Sequence, residues 1–143
     1  MKFPMKFEVE AVATSKIGET WESGTHNLPP ITSAIPVEFM GPGGGYSPED
    51  YFGLAVLNCV VALYKVYCEK SKVQFAEIRG KAVVTADKQP SITNFVMSHV
   101  DLTFVVSGAA DSAKARTLLE AAIKDCPVGN SIKSGKTFHI QIL

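Results

Sequence analysis

Three cysteines, Cys59, Cys68 and Cys126, are the residues of this chain best suited to chemistry, because a thiolate is both a nucleophile and a reversible redox group. Cys59 and Cys68 stand nine residues apart in one apolar stretch. At about 100° per residue, a helix points them to opposite faces, so they cannot bridge each other. Cys126 is then the thiol that can partner Cys59 within the chain. Phe52, Val56, Ala62 and Leu63 share the Cys59 face, a lining that suits a greasy ligand and disfavours a thiolate unless a cation helps. Cys126 precedes Pro127. If the next few residues turn helical, Pro127 takes the first position and the sulfur sits at a positive helix end, where a thiolate is favoured. The commonest role of a free cysteine, a small buried hydrophobe, is the competing reading for each of the three.

Other chemistries find less support. Ser134-Gly135-Lys136-Thr137 resembles the end of a phosphate-binding loop, yet Asn130 stands where the motif needs glycine, and only a short terminal segment follows in place of a helix. Gly43-Gly44-Gly45 has no strand before it, as a dinucleotide fingerprint requires. His26, His99 and His139 are scattered without metal-ligand spacing, so no metal or other cofactor is expected. No Gly-x-Ser-x-Gly elbow occurs. The 143 residues carry 14 basic and 14 acidic side chains, for zero net charge, with only Arg79 and Arg116 as arginines. That balance argues against a nucleic-acid partner or an anionic membrane surface. Met1 to Lys6 lacks the apolar run of a signal peptide, and three cysteines are an odd number, so the expected address is the cytoplasm, with no structural disulfide framework.

The elements that must position these thiols follow from periodicity. Phe7 to Val12 alternates as a half-buried strand, Thr14 to Gly18 reads as a turn, and Thr20-Trp21 starts a second strand. Asn27 to Gly45, dense in proline and glycine, reads as a long surface loop with a short extended piece at Val37-Glu38-Phe39. Ser47, Pro48 and Asp50 open a helix, and the charge-free run from Tyr51 to Tyr64 makes it a central, buried one ending near Lys72, too short in its apolar part to span a membrane. Val73 to Ala86 and Ile92 to Ser107 read as an antiparallel pair joined by Asp87 to Ser91. Asp111 caps a second helix whose Ala115, Leu118, Leu119, Ala122 and Ile123 face the first; Thr137 to Leu143 is a closing strand. Strands in runs, not alternating singly with helices, predict an α+β fold in one domain with an antiparallel sheet.

Two segments together carry a resemblance. Phe39 to Asp50, a glycine-rich run into Ser-Pro-Glu-Asp, leads to Leu57-Asn58-Cys59; Asp125-Cys126-Pro127-Val128-Gly129-Asn130-Ser131-Ile132 is the second. In order and separation they are similar to the paired motifs of the OsmC/Ohr family, and the element order matches over nearly the full chain. The resemblance implies antiparallel sheets around two central helices in an intertwined homodimer, with active sites at the subunit interface. It implies an organic hydroperoxide reductase in oxidative-stress defence, with Cys59 attacking the peroxide and Cys126 resolving the product to a disulfide. An external dithiol, such as a lipoylated protein, would reduce that disulfide. Glu49 matches the glutamate that orients an activating cation. Where peroxidase members carry an arginine, this chain has Lys16, leaving Lys16 or Arg79 to serve. A non-peroxidase member, binding a hydrophobic small molecule in the same interface pocket, is the alternative.

Overall fold

The structure, a computed structural model, describes residues 1–90 and 94–143. The expected loop end at Ser91 and strand start at Ile92 lie outside the described residues. The chain divides into two units, Met1–Tyr51 and Phe52–Leu143.

In the first unit β1 (Glu10–Val12), β2 (Trp21–Gly24) and β3 (Ile31–Ser33) form an antiparallel sheet in that order. β1 starts at Glu10 and not Phe7, and it is exposed throughout, which corrects the half-buried expectation. The alternation marks a face that burial would favour, and within its own unit that face is open: Phe7 is 90% and Val9 78% exposed. β3 replaces part of the expected loop. Its pairing with β2 and the return of the chain at Tyr46, whose N–H donates to Thr32 O at 2.9 Å, hold so short a strand in place. Val37–Phe39 is a single turn of 3₁₀ helix rather than an extended piece, closed by Phe39 N–H donating to Pro36 O at 3.0 Å. Gly41, just after the turn, serves close packing: a Cβ there would lie 2.1 Å from Ile35 O.

α1 (Pro48–Lys70) opens as the sequence predicts. The Asp50 amide donates to Ser47 Oγ at 3.1 Å, and the Ser47 amide donates to Asp50 Oδ2 at 2.8 Å, a reciprocal cap that satisfies two orphan donors. At 23 residues α1 is long and apolar enough to cross a membrane by length and composition, so length alone excludes nothing. Its stripe of Val56, Val60, Tyr64 and Cys68 is nevertheless packed in protein, as a core helix requires.

In the second unit β4 (Glu77–Lys88), β5 (Phe95–Ser107) and β6 (Gly135–Ile142) form one sheet in that order. β4 pairs antiparallel with β5, whereas β6 pairs parallel to it, His99 opposite Gly135 through Val106 opposite Ile142. The wholly antiparallel expectation is thereby corrected. A parallel pair needs a long crossover, and α2 (Ser112–Asp125) with α3 (Pro127–Asn130) supplies it. Asp111 caps α2, accepting from the Lys114 amide at 3.0 Å. Every second residue of β5, Val100, Leu102, Phe104 and Val106, is fully buried against the α1 stripe and Ala115, Leu119 and Ala122 of α2. Helix and sheet approach closely: a Cβ on Gly80 would lie 2.6 Å from Leu57 Cδ1.

Candidate active site

Cys59 lies one position before Val60, so a turn of about 100° places it at the edge of the buried stripe, half-buried. Cys126 lies at a helix break. Proline at 127 disfavours helical backbone at the residue before it, and Cys126 accordingly has φ −59° and ψ 111°, ending α2 and capping α3. Its sulfur accepts from the Gly129 amide at 3.3 Å, as expected if the segment turned helical. Asn130 Nδ2 donates to Lys124 O at 3.0 Å, and Ser131 Oγ donates to Pro127 O at 2.7 Å, bracing the loop on both sides of the cysteine.

The two thiols, far apart in sequence, are brought into one neighbourhood, with Cys59 packed against the buried cluster that includes Cys126, and all three cysteines are free. Cys126 is 1% exposed. Burial pushes its thiol up to about 11, with the Cys59 contact adding to the rise; the Gly129 and Val128 amides pull the other way and lose. The thiolate expected at the helix start is thus overruled by desolvation, and Cys126 holds its proton at neutral pH.

Cys68 is 2% exposed, and burial also pushes its thiol up. It packs beside Tyr64, whose buried hydroxyl has that sulfur as neighbour but no partner in hydrogen-bonding geometry. Cys68 is a small buried hydrophobe in its surroundings.

In the first unit, Glu49 Oε2 is buried without a partner, and Lys16 Nζ lies 3.7 Å from Glu19 on an exposed turn. Arg79 pairs with Glu77, both exposed. His99 Nε2 meets Thr137 Oγ1 at 2.7 Å, and Gly135-Lys136-Thr137 enters β6 rather than a helix. Two residues beside the thiols escaped the sequence reading: the Tyr67 hydroxyl donates to Asp125 Oδ2 at 2.7 Å. The available signal was an acid on the last turn of a helix, against the dipole, next to a cysteine.

The family model for OsmC-like proteins matches residues 41–141, which include both cysteines. The chain belongs to the OsmC-like protein family. Solved structures agree on the fold. An OsmC-like protein of unknown function from Vibrio cholerae superposes with a TM-score of 0.83 at 14% identity, covering 96% of this chain and 99% of that one. The organic hydroperoxide resistance protein OsmC of Legionella pneumophila gives 0.75 at 20% identity, covering 99% and 98%. The organic hydroperoxide resistance protein of Bacillus subtilis gives 0.68 at 18%, covering 97% and 98%. No curated protein sequence matches the chain.

Proposed function

We propose that this OsmC-like protein is a two-cysteine organic hydroperoxide reductase. The observation that carries the reading is that Cys59, half-buried on a helix face, packs against the cluster that holds Cys126, which is buried and protonated. The Cys59 thiolate attacks the distal peroxide oxygen, the O–O bond breaks, and the alkoxide leaves as an alcohol once protonated, with sulfur oxidised to sulfenic acid. Cys126 then attacks that sulfur. Its proton and the sulfenic hydroxyl depart as water, and a disulfide remains. An external dithiol, of which a lipoylated protein is one, takes the two oxidising equivalents and returns both thiols in the reducing cytoplasm.

Orientation of the attack falls to Glu49, which has an unpartnered buried oxygen to offer a cation, and to Lys16, whose exposed pair with Glu19 is weak enough to exchange. A second copy of the chain completes the assembly in this reading. Support for a homodimer comes from the outer face of α1, where Leu54, Ala55 and Ala62 stand exposed and the first charge is Lys65, and from exposed Phe7 and Val9.

The test is mass spectrometry of the reduced protein after brief treatment with one equivalent of cumene hydroperoxide. A Cys59–Cys126 bridge that Cys59→Ser prevents is the expected result. Thiols left unmodified after long exposure would refute the peroxidase and turn attention to ligand binding at the same apolar surface.

A further inference from the structure

The bond between Tyr67 and Asp125 joins α1 to the end of α2. Asp125 is the last residue of α2, where the helix dipole opposes a negative side chain. Its carboxylate is instead held by the Tyr67 hydroxyl of α1 at 2.7 Å, a charge-assisted geometry bridging 58 residues of sequence. Tyr67 lies eight residues beyond Cys59 on α1, just over two turns, and Asp125 is bonded to Cys126 in the chain. The same two elements that carry the two sulfurs are therefore tied to each other by this bond.

Apolar packing in the cluster shared with α1 holds Cys126, Ile123 and Val128, and the other polar contacts of the junction are internal to it. The Gly129 amide, the Asn130 side chain and the Ser131 hydroxyl all bond to residues 124–127, so they shape the turn around Cys126 but do not fix it to α1. Lys114 Nζ, which donates to Ser71 O at 3.2 Å, ties the other end of α2, more than two turns away from the cysteine. Among the described residues, the Tyr67 to Asp125 bond is a directed polar link between the junction and the helix of Cys59.

We infer that Tyr67 is a positioning residue for disulfide closure: through Asp125 it holds the end of α2 on α1 and so keeps the Cys126 sulfur aimed at Cys59. The inference rests on the proposed Cys59–Cys126 pair but not on peroxide as its oxidant. Closure of the pair in a glutathione buffer reads the same geometry: two protein thiols and one oxidised glutathione give the intramolecular disulfide and two reduced glutathiones. The equilibrium constant of that exchange is an effective concentration of one thiol at the other.

Tyr67→Phe keeps the ring and deletes the donor. Losing a hydrogen bond to a charged group at a partly solvated site should lower the effective concentration about fivefold, and slow resolution of the Cys59 sulfenic acid to a similar extent. Dimedone trapping of that sulfenic acid should rise while the rate of its formation is unchanged, a split that a general loosening of the fold would not give. Asp125→Ala should behave like Tyr67→Phe. Asp125→Asn, which retains an acceptor for the phenol and removes the charge from the helix end, should restore most of the coupling.

Wild-type effective concentration in both Tyr67→Phe and Asp125→Ala would overturn the inference, as would failure of the wild-type pair to close in the glutathione buffer. If peroxide leaves the thiols untouched while the buffer closes them with the Tyr67 dependence described, the peroxidase reading falls and the positioning role stands.

Discussion

Removing the Cys126 thiol should change how stability depends on pH, and the size of the change follows from its surroundings. Burial and the Cys59 contact raise this thiol from an ordinary value near 9 to about 11 in the folded protein. The folded state therefore holds the proton more tightly than the unfolded chain does. The resulting stabilisation is complete below pH 9 and is lost as pH rises through about 11. At about 1.4 kcal/mol per pH unit the gap is worth about 3 kcal/mol. Urea unfolding of wild type and Cys126→Ala, both kept reduced with a phosphine, measures it at several pH values from 7 upward. Cys126→Ala should be the less stable at pH 7, having lost a packed side chain, and the difference between the two should shrink by about 3 kcal/mol as the pH passes the folded value. Using the difference matters, because Tyr64, Tyr67 and Cys68 are raised as well and weaken both proteins in alkali. Parallel stability curves would refute the reasoning. Cys126 would then carry no excess affinity for its proton, and the division of roles between the two thiols would lose its physical basis.

Three further outcomes are expected. Cys68→Ala should leave the rate of peroxide-driven bridge formation unchanged within about twofold by quenched mass spectrometry, because a buried thiol in apolar surroundings is inert. Tyr64→Phe should raise stability by about 1 kcal/mol in thermal unfolding, since it deletes a buried hydroxyl lacking a well-directed partner; a loss of that size would refute this account of the hydroxyl. Gly108→Ala should cost about 2 kcal/mol, because φ is +69° there and the new Cβ would lie 2.5 Å from that of Ala76. Unchanged chemical denaturation of that variant would show that the turn relaxes freely.

What could be read from the sequence was whatever local chemistry decides. Ser47-Pro48 with Asp50, Asp111 with the Lys114 amide, and Pro127 at a helix start each act within four residues, and each is found as expected. The helical face of Ala115, Leu119 and Ala122 is likewise buried. Features set by distant partners were not legible. Ile31–Ser33 is too short to show a period and exists through its pairing with β2. The parallel placement of β6 depends on where the crossover returns the chain, which no residue in Gly135–Ile142 encodes. At the site, the resemblance named the two cysteines, but the protonation of Cys126 is a sum over burial and a neighbour 67 positions away. Helix-end electrostatics alone gives that sum the wrong sign.

The same sum explains why the two sulfurs are not interchangeable. Closing a disulfide brings two free thiols to about 2 Å, so at least one must move. Cys59 sits inside a continuous helix whose neighbouring Val60 is fully buried, and its backbone has little freedom to follow. Cys126 stands in non-helical backbone between two helices, outside any continuous helical ladder. A thiol on such a break can adjust through its own backbone, but it reaches its target only if the segment carrying it stays docked. Adjustment at Cys126 and the tether at Asp125 are therefore two requirements of one step. The short range of each makes adjacent residues the natural place for both.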